Sequence, residues 1–448
     1  MNKLSSYDRQ SKFFLLIGDL FILLASVLLV YYLRLQNTDV GLVLSARGLW
    51  FIAFVHLGSL YIFGAYDVDA ETRSIEMAGR VTVASLTAVL FVIFIHYFGG
   101  HDRTGLFGRG VLLGSLALNF VLSSLLRRYL LHSARRHLRG AEWLFLVSPV
   151  FSDKLQNDLQ KNRFPGKYQF ATETEFKKIE SILSKDWQAI IVGLDRPTLN
   201  SQHQLTAALM QARFRGQRVL DLSSFYERQW MKVPIYFLDT DWFVMSEGFQ
   251  IFHNPVGLKI KRLADLLLAI FLFLISWPLM LLTMLAIKME SAGPTVYKQI
   301  RTGKDGKKFT ILKFRSMRVD AEKDGAKWAS VGDSRITQVG HFIRKTRLDE
   351  LPQLVNILRG EMSFIGPRPE RPEFNIELEK QIPFYNLRHM VQPGLSGLAQ
   401  ILYPYGASLE DAVEKLQYEL FYIKNHSLLM DMSIALKTIR VVLFGRGR

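Results

Sequence analysis

The sequence predicts a multidomain membrane protein with three parts. These are an N-terminal four-helix transmembrane bundle, a central Rossmann-like α/β domain, and a C-terminal, monotopic, mainly α unit with a re-entrant membrane helix. Three observations predict this. Four long apolar stretches crowd the first third of the chain. Strand-like and helix-like patterns alternate between Glu142 and Val244. An uncharged run from Leu266 to Ile287 carries a proline near its middle and basic residues at both ends. The units so marked are residues 1–139, 140–250 and 258–448, with the re-entrant helix at 263–288. At 448 residues the chain is too long for one compact domain. A net charge of +16 suits a protein lying against anionic lipid or handling anionic substrates. Nucleic acid is set aside as a partner, because the chain has no helix-turn-helix, zinc-finger or RNA-binding signature. With no cysteine, disulfides and thiolate-bound zinc are excluded, and the ten histidines are scattered without metal-ligand spacing.

Met1–Lys12 is a short basic arm. The apolar stretches Phe13–Leu33, Leu49–Tyr66, Val81–Phe98 and Val111–Leu126 are each near the length that crosses a bilayer as a helix. Asp19, inside the first, is costly in lipid and is expected to face another helix. Lys3, Arg9 and Lys12 precede the first stretch, and Arg127, Arg128, Arg135, Arg136 and Arg139 follow the fourth. Positive charge stays inside, so four spans with both ends cytoplasmic are expected. The mixed loop Asp67–Arg80 decides nothing.

In the central unit Trp143–Val147, Ala189–Val192 and Arg218–Leu222 read as short buried strands, with helices over Glu173–Ser184 and Gln202–Phe214. Strand alternating with helix argues for a parallel sheet. A dinucleotide site needs a glycine-rich turn after the first strand, and LFLVSPVFSDKLQ has none. A structural or regulatory role is therefore expected here. Phe225-Tyr-Glu-Arg and Lys232-Val-Pro-Ile read as the end of this domain.

Lys259-Ile-Lys-Arg262 opens the third unit. Within Leu266–Ile287, Pro278 removes a helix hydrogen bond and bends the axis, and Ser276 is placed to satisfy a freed carbonyl. Lys261 and Arg262 before it, and Lys288 and Lys298 after it, keep both ends on one side. A helix entering and leaving on the same face accounts for all three, with the break at Ser276 and Pro278. Tyr297–Gly303 and Phe309–Met317 follow as a basic, partly β-patterned region. Lys313, Arg315 and Arg318 are spaced to put cations near a diphosphate or lipid headgroups; interfacial charge explains Arg318 equally well, and Lys313 and Arg315 less well. Glu322 and Asp324 sit in a polar, solvated segment.

The stretch Arg344–Arg371, RKTRLDELPQLVNILRGEMSFIGPRPER, carries the densest chemistry. Leu348, Leu351, Leu354, Val355 and Leu358 recur at helical spacing. Asp349 and Glu350 stand at the helix start, and Pro352 falls in its first turn. Free N–H groups and the helix dipole there favour the ionised form of both acids. An ionised Asp attacks phosphorus, and a neighbouring Glu holds a divalent cation. Pro367 and Pro369 fix Arg368 in an extended conformation, where its guanidinium makes a stiff fork for phosphate oxygens. On spacing alone, Asp349 is equally readable as an N-cap and Arg368 as a surface turn residue.

The run LDELPQLVNILRGEMSFIGPRP, preceded by KFRSM and followed by PGLSG, resembles the bacterial sugar transferase family. Its members are monotopic polyprenyl-phosphate phosphoglycosyl transferases. The resemblance covers roughly Lys259–Arg448, and the four-helix front end looks like that of the large members. It implies that a nucleoside diphosphate sugar, usually a UDP-sugar, donates its sugar phosphate to Asp349 with loss of UMP. The phosphosugar then passes to undecaprenyl phosphate in the bacterial inner membrane, beginning an exopolysaccharide or related glycan. Glu350 matches the family's Mg²⁺-associated acid, Arg368 its phosphate-binding arginine, and Arg344, rather than Arg347, a basic position near the site. The family's re-entrant break is commonly an adjacent Ser-Pro, whereas Trp277 intervenes here. The family also usually carries a basic residue before Pro-Gly and a Trp after the second Gly, where this chain has Gln392 and Leu398. Tyr418–Asp431 follows the family, Ser427–Phe444 is amphipathic enough to lie on the membrane surface, and Tyr403–Ala407 resembles members linked to exopolysaccharide operons. A homodimer is among the expected partners. The rival readings are a non-catalytic scaffold of polysaccharide assembly, a transporter, and a glycosyltransferase that moves the sugar alone.

Overall fold

A computed structural model describes residues 5–36, 47–66, 74–98, 109–139, 142–172, 179–194, 199, 202–249, 255–321, 333–403, 406 and 408–444. Residues 67–73, Glu322, Asp324 and most of Tyr403–Ala407 lie outside the described residues. The chain forms two compact units, Met1–Trp230 and Met231–Arg448.

The first unit opens with helices Ser5–Leu35, Arg47–Ile62, Ser74–Phe98 and Arg109–Arg139. The first packs along the fourth and the second along the third. Among the described residues of the whole chain, two helical segments are long and apolar enough to cross a membrane, Phe13–Arg34 and Pro255–Glu290. Gly48–Ile62 and Met77–Val92 are shorter apolar segments. Asp19 does face another helix. Its carboxylate, fully buried, takes a two-pronged ion pair from Arg127, with Nη1 to Oδ1 at 2.8 Å and Nη2 to Oδ2 at 2.7 Å. The Ser123 hydroxyl donates to Oδ1 at 2.5 Å, and Arg127 Nε donates to the Ala65 carbonyl at 3.0 Å. Arg127 is therefore no interfacial charge; a buried carboxylate in reach outcompetes the membrane surface for it.

A four-stranded parallel sheet follows, in the order β2-β1-β3-β4: β1 Glu142–Val147, β2 Lys167–Ala171, β3 Ala189–Gly193 and β4 Val219–Asp221. The central strands read as continuous apolar runs because both faces are covered. Leu144, Leu146 and Ile190 pack with Leu183, Leu205 and Leu209 on one face. Trp143 and Phe145 stack edge-on against Phe164 and Phe225 on the other. The edge strand β2 and the helix Pro149–Lys161 were not expected from the sequence. As an edge strand β2 buries few of its side chains, so its apolar signal is weak.

The second unit begins earlier than residue 258. Val233 and Ile235 sit in its core with Leu416, Leu420 and Ile423, and the Val233 N–H donates to the Gln417 carbonyl at 3.0 Å. The helix Pro255–Glu290 runs through Pro278 without a break. Proline removes only the bond to one carbonyl, and the bonds on either side carry the helix across. Ser276 does not take the role expected of it: its hydroxyl lies 3.7 Å from the Met280 sulfur. Both ends of this helix are anchored in the unit. Near the start, Arg262 donates to the carbonyls of Ile357 at 2.5 Å and Leu358 at 2.9 Å. At the end, Arg315 donates to the carbonyls of Ser291 at 2.7 Å and Ala292 at 2.9 Å. Between them Leu267, Phe271, Leu274, Ile275, Leu282 and Leu285 are exposed, and only 11% of the most apolar window is buried.

The antiparallel hairpin β5 Val296–Thr302 and β6 Lys308–Phe314 comes next, then the helices Gln338–Lys345 and Gln353–Arg359 joined by a tight turn at Leu348–Glu350. Two short parallel strands, β7 Ser363–Ile365 and β8 Gly394–Ser396, and the helices Pro372–Gln381, Leu409–Lys424 and Leu428–Phe444 complete the unit. A capping box of Ser408 and Asp411 starts the Leu409–Lys424 helix. Leu429 and Met432 on the last helix are exposed.

Candidate active site

The acid pair lies where two helices meet. The Gln338–Lys345 helix ends at Thr346, and Arg347 takes a left-handed conformation with φ of 59°. A non-glycine residue held there turns the chain sharply, a strain often stored at functional sites. The turn carries Leu348–Glu350, and Pro352 leads into Gln353–Arg359. Leu354 and Ile357 fix that helix in a core with Ala269, Ile311 and Met362. Asn356 staples it to β6, accepting from the Leu312 N–H at 3.0 Å and donating to the Thr310 carbonyl at 2.7 Å.

Glu350 draws in three cations. Its Oε1 lies 3.2 Å from Arg368 Nη2, 3.5 Å from Arg347 Nη1 and 3.8 Å from Lys313 Nζ. Burial alone raises a carboxyl pKa, but Arg368, Lys313 and Arg347 together hold Glu350 well below the usual range. Asp349 is different. It is only 8% exposed, and its Oδ1 is buried with no hydrogen-bond partner. Burial, and then the charge of Glu350, push its carboxyl above the usual range against the opposing fields of Lys313, Arg347 and Arg344. The expected downward shift of both acids therefore holds for Glu350, while Asp349 is shifted upward. The helix dipole is outweighed by desolvation and by a like charge next door. Lys313 is pushed down to about 8 by burial, with Glu350 pulling the other way.

Arg368 reaches this cluster from a loop fixed through its carbonyls. Prolines at 367 and 369 leave the run few N–H groups, so acceptors must anchor it. The Pro367 carbonyl accepts from Gly394 N–H at 2.8 Å, that of Arg368 from Arg388 Nη2 at 2.9 Å, that of Pro369 from Arg301 Nη1 at 3.1 Å, and that of Glu370 from Thr302 N–H at 3.0 Å. Gly366, Gly394 and Gly397 touch backbone to backbone, and a Cβ on any of them would collide with main-chain atoms of its neighbours. This contact is what ties the IGPRP and PGLSG runs together.

The structure thus brings Asp349, Glu350, Lys313, Arg347 and Arg368 together, with Arg344 half-buried in the preceding helix and felt electrostatically by Asp349. Arg347, placed behind Arg344 on the family resemblance, makes the direct ion pair; its i, i+3 spacing to Glu350 was the available signal. Arg315 does not join them. It is 6% exposed, and its guanidinium caps the carbonyls at the end of the long helix. Arg318 is exposed. Gln392, at the departure from the family pattern, donates to the Gly360 carbonyl at 2.7 Å, and Leu398 is core. Arg301 and Arg388 left no local signal of this role, because the loop carbonyls of Pro369 and Arg368 that they hold lie far along the chain.

Among the described residues no group of three or more His, Cys, Asp or Glu side chains gathers to hold a metal. Mg²⁺ needs only one or two carboxylates when substrate phosphates complete its shell. The unpartnered Oδ1 of Asp349 beside Glu350 fits that requirement.

Comparison with known proteins follows the same residues. Residues 256–445 match the family described as bacterial sugar transferase. The chain is 47% identical over 194 residues to the UDP-N-acetylgalactosamine-undecaprenyl-phosphate N-acetylgalactosaminephosphotransferase of Aeromonas hydrophila, covering 43% of this chain and 46% of that one. It is 40% identical over 188 residues to the UDP-glucose:undecaprenyl-phosphate glucose-1-phosphate transferase of Escherichia coli K12, covering 42% and 40%. It is 37% identical over 190 residues to the exopolysaccharide production protein PSS of Rhizobium leguminosarum bv. phaseoli, covering 41% of this chain and 95% of that one. The chain spans less than half the length of the first two relatives.

Proposed function

The chain belongs to the bacterial sugar transferase family, and from that premise we propose that it transfers a sugar 1-phosphate from a UDP-sugar to undecaprenyl phosphate, releasing UMP. The observation that carries this reading is the buried, unpartnered carboxylate oxygen of Asp349 beside an acid ringed by Lys313, Arg347 and Arg368. Most buried carboxylate oxygens are satisfied; Asp265 Oδ2 is another that is not, and the three cations gathered beside Asp349 are what mark this site. In the reaction, an Asp349 oxygen attacks the phosphorus that bears the sugar, and the bond from that phosphorus to the bridging oxygen breaks. UMP leaves with the bridging oxygen. A phosphate oxygen of undecaprenyl phosphate then attacks the same phosphorus, restoring the Asp349 carboxylate and forming the lipid diphosphate sugar. Arg368, on its rigid loop, orients the diphosphate, and Lys313 and Arg347 offset its charge. Glu350 and Asp349 would hold Mg²⁺, which supplies positive charge that favours ionised Asp349 and screens the diphosphate.

The proposed setting is the bacterial inner membrane, with four spans ahead of the α/β unit. The long helix, bending at Pro278 rather than breaking there, would dip its largely apolar middle into the cytoplasmic leaflet and keep both ends on that face, since both ends are anchored in one unit. An acceptor bound at headgroup level keeps its tail in lipid, avoiding about 0.8 kcal/mol for each CH₂ exposed. Cysteines placed near 262 and 290, sparing Arg262 itself, are expected to label from the same side; labelling from opposite sides rules this geometry out.

The deciding assay is UMP release by membrane-embedded protein with Mg²⁺, undecaprenyl phosphate and a panel of UDP-sugars led by UDP-N-acetylgalactosamine and UDP-glucose. UMP from one donor establishes both reaction and sugar. Release of UDP points to transfer of the sugar alone, and silence from folded protein points to a scaffold.

A further inference from the structure

Resting on the reading of Arg368 as a phosphate clamp, we propose that Arg388, held by Glu419, is a positioning residue that sets the height and direction of Arg368. Arg388 is 5% exposed and Glu419 4%. Its Nε and Nη2 grip the two Glu419 oxygens at 2.9 and 2.8 Å, and its Nη1 donates to the Tyr385 hydroxyl at 2.6 Å. The same Nη2 donates to the Arg368 carbonyl at 2.9 Å. A buried ion pair contributes little to stability over well-packed apolar residues of the same volume, so stability alone does not explain it. Its geometry does. The carbonyl it holds lies between two prolines, on the very residue whose side chain reaches Glu350 at 3.2 Å. Tyr385 is fixed in turn, its hydroxyl 3.2 Å from Asn375 Oδ1. Only a planar fork bonds a carboxylate with two prongs while reaching a hydroxyl and a carbonyl, and a lysine ammonium does not.

The test uses full-length protein in membranes and the donor that gives UMP. Arg388→Met/Glu419→Leu replaces the pair with apolar side chains and is expected to fold with a modestly lowered melting temperature, because the Arg368 carbonyl and the Tyr385 hydroxyl each lose a donor. Donor kcat/KM should fall about tenfold to a hundredfold, chiefly through KM, as expected for a clamp displaced by an ångström or so. In the Arg368→Ala background the same change should add less than about twofold, since a residue acting through Arg368 has nothing left to act on. Arg388→Lys, which keeps a charge beside Glu419, carries the same comparison if the double variant does not fold. Losses that multiply with Arg368→Ala, or wild-type donor kinetics in either folded variant, overturn the proposal. Wild-type protein that releases no UMP overturns the phosphate-clamp reading and this proposal with it.

Discussion

A buried aspartate in the first unit and one in the second, each with arginines in its surroundings, end in opposite states. In the first unit Asp19 is closed: Arg127 grips both its oxygens and Ser123 adds a third bond. In the second, Glu350 collects three cations while Oδ1 of Asp349 beside it has no partner. A carboxylate sealed by an arginine has its lone pairs committed and its charge matched, which suits a joint between helices. A carboxylate left buried, unpaired and flanked by excess positive charge is costly in isolation, and an anionic ligand with a metal relieves that cost. Under the proposed function, the difference is that between a structural acid and a nucleophile.

Substitutions should divide along this line. Asp349→Asn is expected to remove turnover by a factor of at least about a thousand, with expression and membrane insertion unchanged. UMP release at near wild-type rate excludes Asp349 as the nucleophile. Arg127→Met should instead strike stability, by about 3–5 kcal/mol, because it strands a buried carboxylate. The companion Asp19→Leu should recover most of that loss in thermal unfolding in detergent. Failure to recover would mean that Asp19 has a partner besides Arg127 that matters. Arg368→Ala is expected to cost about a hundredfold in donor kcat/KM. Smallest on activity is Arg315→Met. It should lower stability by about 1–3 kcal/mol through the helix-end carbonyls it leaves bare, with donor KM unchanged. A large rise in donor KM would return Arg315 to the substrate site.

Much of this was legible along the chain, and the unread part shares one cause. The sheet strands over Trp143–Val147 and Ala189–Val192 show as apolar runs because two covered faces demand them. The edge strand Lys167–Ala171 does not, since half of it faces water. Around the site, Asp349, Glu350 and Arg368 stand out through their neighbours in sequence: a turn, a proline in the first helical turn, and two flanking prolines. Lys313 and Arg315, two residues apart, look interchangeable in the sequence, yet one meets Glu350 and the other caps a helix. The strand ends between them, so alternation no longer governs where the second points.

Length, hydropathy and local pattern by themselves determined the order of the units, the apolar segments and the place of the Asp349–Glu350 pair at a helix start, because these depend on contacts within a few residues. Tertiary structure alone decided which cations serve Glu350, that Asp349 is raised rather than lowered, and that Arg388 reaches Arg368 from 20 residues away. The reason is physical. Burial and long-range charge set those outcomes, and both are properties of where the folded chain puts its atoms.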